Sequence, residues 1–140
     1  MKTNKITLLL IIVFSLLAIK VQGQQININN ANITEINSKI IGTWISEEDS
    51  NWKIIFNSQG ICYWSYNNVI TETFSYSIST TSPQCDYNVR TNTSEDFYLK
   101  IINQGDNNEQ LCYEILGVDN ESLSLSSIGI GVKYFYFLKQ

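Results

Sequence analysis

The chain has no histidine and only one proline, Pro83. Without histidine, neither a Ser-His-Asp nor a Cys-His nucleophilic system can be assembled, and the commonest metal ligand is missing. No Gly-rich phosphate loop, CxxC pair or dinucleotide fingerprint occurs either. Carboxylate pairs do occur, at Glu47/Glu48 and Glu95/Asp96, but both lie in turn-like sequence. General acid/base work needs two acids held in one cleft, and these are expected to face solvent. A non-enzymatic protein with no metal and no cofactor is the expectation.

Also lacking is an apolar run of the roughly 20 residues that a bilayer-spanning helix needs. The longest, ITLLLIIVFSLLAI at 6–19, follows Lys2 and Lys5 and precedes Lys20 and a small residue, Gly23. A basic start, a short apolar core and a small residue at the cut predict a secretory signal peptide over 1–23, with no stable membrane anchor. A secreted or periplasmic address follows. Residues 24–38 read as a polar, Asn-rich leader in which Asn32 or Thr34 can cap a short turn, and 39–140 as one domain with one core.

Basic residues are scarce as well. Beyond Gly23 only Lys39, Lys53, Arg90, Lys100, Lys133 and Lys139 remain against thirteen acids, a formal charge of −7. Such a chain repels phosphate backbones, so no nucleic acid is expected as a partner.

What the domain does have is period-two patterning. Apolar or aromatic residues alternate with polar ones over about 40–46, 52–57, 61–66, 70–80, 96–103, 110–117, 122–127 and 132–139. In TETFSYSIS, for example, Phe74, Tyr76 and Ile78 share one face and Ser75, Ser77 and Ser79 the other. Asn, Asp, Gly and Ser punctuate the runs at short intervals. Each strand buries one face and wets the other, as antiparallel sheets do. Eight short strands with tight turns predict an all-β, up-and-down antiparallel barrel, closed so that no edge is exposed.

The first strand carries Gly42-Thr43-Trp44, preceded by a short polar leader. This resembles the G-x-W signature of the lipocalin superfamily. The Cys112–Ile115 stretch, CYEI, is similar to a strand of small secreted bacterial lipocalin-like domains. The chain has no T-D-Y motif, and its final basic residue is lysine rather than arginine. The resemblance implies that Gly42 allows close backbone approach and that Trp44 packs across the closed end of the barrel. It also implies a basic side chain over the indole, Lys139 first and Lys133 second; such a pair is worth about 0.5–2 kcal/mol.

Three cysteines, Cys62, Cys85 and Cys112, suggest one bridge and one leftover thiol in an exported chain. The resemblance implies Cys85–Cys112, whereas strand directions leave Cys62–Cys85 open. For function it implies a small, mainly apolar ligand held inside the barrel. Trp52, Glu72, Phe74, Tyr76, Tyr113 and Tyr136 are the candidate ligand-binding residues, with Trp52 at the rim. Inward parity brings in Phe56 and Phe97 too. Such bulk favours a rival expectation, an interaction or structural module with a filled core.

Overall fold

In the computed structural model, residues 28–81, 85, 96–106, 109–129 and 131–140 are described. The expected signal peptide over 1–23 lies outside them. Among the described residues, one helix, α1 (Ile28–Ile40), precedes eight strands: β1 (Gly42–Ser46), β2 (Trp52–Phe56), β3 (Ile61–Tyr66), β4 (Val69–Ser79), β5 (Phe97–Asn103), β6 (Gln110–Val118), β7 (Ser122–Ser127) and β8 (Tyr134–Lys139). Every strand pairs antiparallel with its neighbour in sequence, and β8 pairs back onto β1, closing an up-and-down barrel. The expected fold class is the observed one. Closure satisfies the backbone of both terminal strands and leaves no free edge.

The turns explain why pairing is sequential. Between β3 and β4 the connection is two residues, Asn67 and Asn68, with φ of 51° and 63°. Asparagine tolerates that left-handed backbone, which a tight hairpin turn requires. The meander puts the ends of β1, β3, β5 and β7 at one end of the barrel, termed the open end, and the β2–β3 and β6–β7 turns at the other, the closed end, together with α1.

The helix departs from the sequence expectation, which allowed a short turn in a polar leader. Asparagine-rich sequence has weak helix propensity, and most helical stability in proteins comes from tertiary packing. That packing is visible here: Ile40 is fully buried and Ile36 packs on the same core. A Glu35–Lys39 ion pair at 2.6 Å adds a few tenths of a kcal/mol at most, being partly exposed.

The core fills the barrel. Trp44, Phe74, Leu99, Ile101, Leu123, Leu125 and Phe137 are all at most 2 % exposed. Cross-strand register fixes which faces turn inward: Trp64 pairs with Ile54, Phe74 with Cys62, and Ile101 with Tyr76 and Leu111. On the outer wall, Tyr98 and Cys112 alternate with inward residues yet are nearly inaccessible. Cys85 is bonded to Cys112 on that wall, across a Cα separation of 6.2 Å. Of the two pairings the cysteines allowed, the structure takes Cys85–Cys112, and Cys62 is free and buried. Closing a loop of this size is worth about 3–4 kcal/mol by chain entropy.

Candidate functional site

At the closed end Trp44 and Lys139 lock onto α1, and Gly42 makes room for Lys139. Trp44 donates its indole N–H to the Ile40 carbonyl at 2.7 Å, and the Lys139 ammonium donates to the Lys39 carbonyl at 3.0 Å. These are the last carbonyls of the helix, which otherwise have no intrahelical partner. A cation there also suits the negative end of the helix dipole. The Lys139 Nζ stands 4.9 Å from the centroid of the Trp44 ring. Gly42 adopts φ +138°, and a Cβ placed on it would come within 2.8 Å of the Lys139 Cε. Gly42, Trp44 and Lys139 thus form one structural unit in which each needs the other two.

Further in, the barrel holds an aromatic cluster. Trp52 meets Trp64 at 5.9 Å, Phe135 at 5.9 Å and Phe137 at 5.4 Å, all edge to face. Trp64 lies 4.8 Å from Phe74, Phe56 5.1 Å from Tyr76, and Tyr113 5.8 Å from Phe135. Edge-to-face geometry is the favoured one, worth about 0.5–1.5 kcal/mol per pair beyond burial. The space left among Trp52, Cys62, Trp64, Leu99, Tyr113 and Phe135 is about 10 Å³. That is at most room for a single water, against the ~300–1,000 Å³ of an ordinary ligand pocket.

Polar groups inside this cluster divide into satisfied and unsatisfied. Tyr76 donates its hydroxyl to the Asn57 carbonyl at 2.8 Å, so a damp cavity is not needed to explain it. Burial pushes the Cys62 thiol up to about 12. Burial, with Cys62 nearby as a smaller cause, raises the Tyr113 hydroxyl above its ordinary range. The Trp64 indole N–H, by contrast, is buried and meets no acceptor among the described residues.

Of the candidate ligand-binding residues, Trp52, Phe74, Tyr76 and Tyr113 belong to the core or pack against it. Glu72 pairs across strands with Trp64 and is partly exposed. Tyr136 requires correction: it faces outward and is 46 % exposed. Residues 135, 137 and 139 share one face of β8, and Lys139 must face inward to reach Trp44. An inward Lys139 is incompatible with an inward Tyr136, and the structure takes the Lys139 parity, with Phe135 and Phe137 inside. Trp64, Phe135 and Phe137 are the interior aromatic residues that sequence reasoning left off the candidate set. The signal for the last two was their parity with Lys139.

The outer face so created carries Tyr134, Tyr136 and Leu138, 55 %, 46 % and 49 % exposed. A surface groove of about 550 Å³ runs along Glu48, Lys133, Tyr134 and Tyr136. Among the described residues, no group of three or more His, Cys, Asp or Glu is placed to hold a metal ion, and no helix is long and apolar enough to cross a membrane. No protein-family model matches this chain, and neither a curated protein nor a solved structure does so.

Proposed function

We propose that the protein is an exported, non-enzymatic, lipocalin-like barrel that acts as an interaction module through its outer surface. The observation that carries this reading is the interior, where about 10 Å³ is left among packed aromatic rings. A barrel of eight strands is just wide enough either to be filled by its own side chains or to hold one small ligand, and filling supports the first use. The lipocalin likeness is supported by the closed meander and by the Gly42, Trp44 and Lys139 unit at one end. Export is supported by the leader sequence and the Cys85–Cys112 bridge, since such bonds persist in oxidising compartments. A non-enzymatic role is supported by the lack of histidine and by a buried thiol that stays protonated at neutral pH. Titration of the mature protein with fatty acids, a retinoid-like compound and an apolar dye tests the reading. No saturable change in tryptophan fluorescence is expected below about 100 μM, equivalent to roughly −5.5 kcal/mol; tighter binding refutes a filled barrel.

One observation favours a second reading, a small apolar ligand admitted by movement of Trp52 and Phe135. The unpartnered Trp64 N–H costs about 1–3 kcal/mol as it stands. A ligand oxygen accepting from it would recover that cost. On this reading Trp64→Phe loses affinity for ligands carrying an acceptor and keeps it for pure hydrocarbons.

A further inference from the structure

The outer face of β8 sets two exposed tyrosines side by side on one strand; the β3–β4 hairpin, with Tyr66, Val69 and Ile70, is another exposed apolar stretch. The aromatic pairs among the described residues lie within the barrel, yet Tyr134 and Tyr136 stand outside it, about half exposed. Two residues apart on one strand, they are roughly 7 Å from each other along its axis. Register sets Ser126 opposite Tyr134 and Ser124 opposite Tyr136 on β7, so small hydroxyl-bearing residues flank both rings on that side. On the other side stands the β1–β2 turn: the Glu47 amide donates to the Tyr136 carbonyl at 2.9 Å, and the Glu48 and Lys133 side chains line the groove.

Several occupants are disfavoured by the same features. A peptide cannot add as a ninth strand, because β8 is hydrogen-bonded to β7 and β1 and offers no free edge. Two half-exposed tyrosines and a leucine present roughly 300 Å² of contact surface, well short of the ~800 Å² per partner of a stable dimer. An anionic membrane or polymer meets Glu47 and Glu48 on a chain that carries −7 beyond Gly23.

Lys133 and Glu48 line the same groove, so neither sign of charge is favoured there, and a partner with apolar flat faces, a rim of hydroxyls and no charge fits it. We propose that Tyr134 and Tyr136 form a stacking platform for a neutral carbohydrate chain, whose hydroxyls hydrogen-bond to Glu48 and Ser124. Carboxylates accepting from hydroxyls make the stronger, charge-assisted class of hydrogen bond. Tyrosine rings offer rigid amphipathic area at little entropic cost. This assignment rests on the surface-module reading and names the partner of that surface.

The test is an amide-resolved NMR titration of the mature protein with neutral hexasaccharides of glucose, mannose and N-acetylglucosamine, with polygalacturonate as the charged control. At least one neutral sugar is expected to shift Tyr134, Tyr136 and Glu48, with the control silent. Tyr136→Ser should weaken that binding at least tenfold and Tyr136→Phe by far less, both variants melting like the parent. If no neutral sugar moves β8 up to about 10 mM, a decade beyond a −4.1 kcal/mol interaction, the carbohydrate assignment is wrong. Polygalacturonate binding with neutral sugars silent overturns it too. Shifts on β8 that grow with protein concentration alone, sugars again silent, would make the partner a second copy: the carbohydrate assignment falls while the surface-module reading survives. Should apolar compounds shift the Trp52 and Trp64 indoles instead, the surface-module reading itself fails.

Discussion

The two ends of the barrel are built differently. At the closed end the tryptophan is fully buried, its N–H is bonded, and a lysine bridges its ring to the helix. Toward the open end Trp52 and Trp64 are partly buried and meet edge to face, and the Trp64 N–H has no acceptor among the described residues. One end has its polar groups matched and no space to spare; the other keeps an unmet donor beside a small void. Full satisfaction marks a part whose task is to hold the fold, while unmet groups are affordable only where something else uses them or total stability allows it.

The largest expected effect is at the closed end. Trp44→Ala removes a wholly buried indole, its bond to Ile40 and the cation over its ring. A loss of about 3–5 kcal/mol is expected, enough to threaten a domain of ordinary stability. Trp52→Ala, at a partly buried position, should cost clearly less. Denaturant midpoints of the two variants decide the matter, and equal losses would erase the contrast between the ends.

Next in size is Gly42→Ala, expected to cost about 1–3 kcal/mol because φ +138° disfavours any side chain. Part of the loss comes from the approach to the Lys139 Cε, whose ammonium is held by Lys39 and cannot swing away freely. In a Lys139→Ala background that part should vanish and the dihedral part stay. A double-mutant cycle showing strict additivity would mean that Gly42 and Lys139 are independent.

Cys62, fully buried, is the second residue of β3, close to the β2–β3 turn. Its folded pKa is raised from 9.0 to about 12, so above pH 9 the unfolded thiol ionises while the folded one keeps its proton. Its contribution is therefore complete below pH 9 and is lost as pH rises through the 9–12 window, at up to about 1.4 kcal/mol per unit. Replacing Cys62 by alanine should flatten that slope in pH-dependent melts. At pH 8 alkylation by iodoacetamide should be negligible in the folded protein and rapid in denaturant; prompt labelling of the folded state would show the core to be more open than its packing.

Most of this architecture was legible in sequence because period-two patterning survives wherever one face of a strand is wet. TETFSYSIS and SLSLS could be oriented by inspection. YFYFLK could not, since both faces are aromatic and hydropathy gives no preference between Tyr136 and Phe137. There the deciding fact is non-local: Lys139 reaches Trp44 and carries the parity of the strand with it. The helix was hidden for a similar reason, because asparagine-rich residues fold onto a surface that exists only after the barrel closes. The unmet Trp64 donor has no local signature either, since the sequence says nothing about which acceptors converge on one indole.

The smallest expected effect is the most discriminating, because it applies one substitution at both ends. Trp→Phe keeps an aromatic ring, removes some buried area and deletes one N–H donor. At position 44 that donor is bonded, so the change also orphans the Ile40 carbonyl; burying an unpaired acceptor adds about 1–3 kcal/mol to the area lost. At position 64 the donor has no partner, so its removal relieves a cost of similar size. The two terms then oppose each other, and Trp64→Phe should alter stability by less than about 1 kcal/mol, in contrast to Trp44→Phe at ~2 kcal/mol or more. Paired urea melts measure both. A large loss at 64 would mean that its N–H finds an acceptor in solution, and the open end would then be as fully satisfied as the closed one.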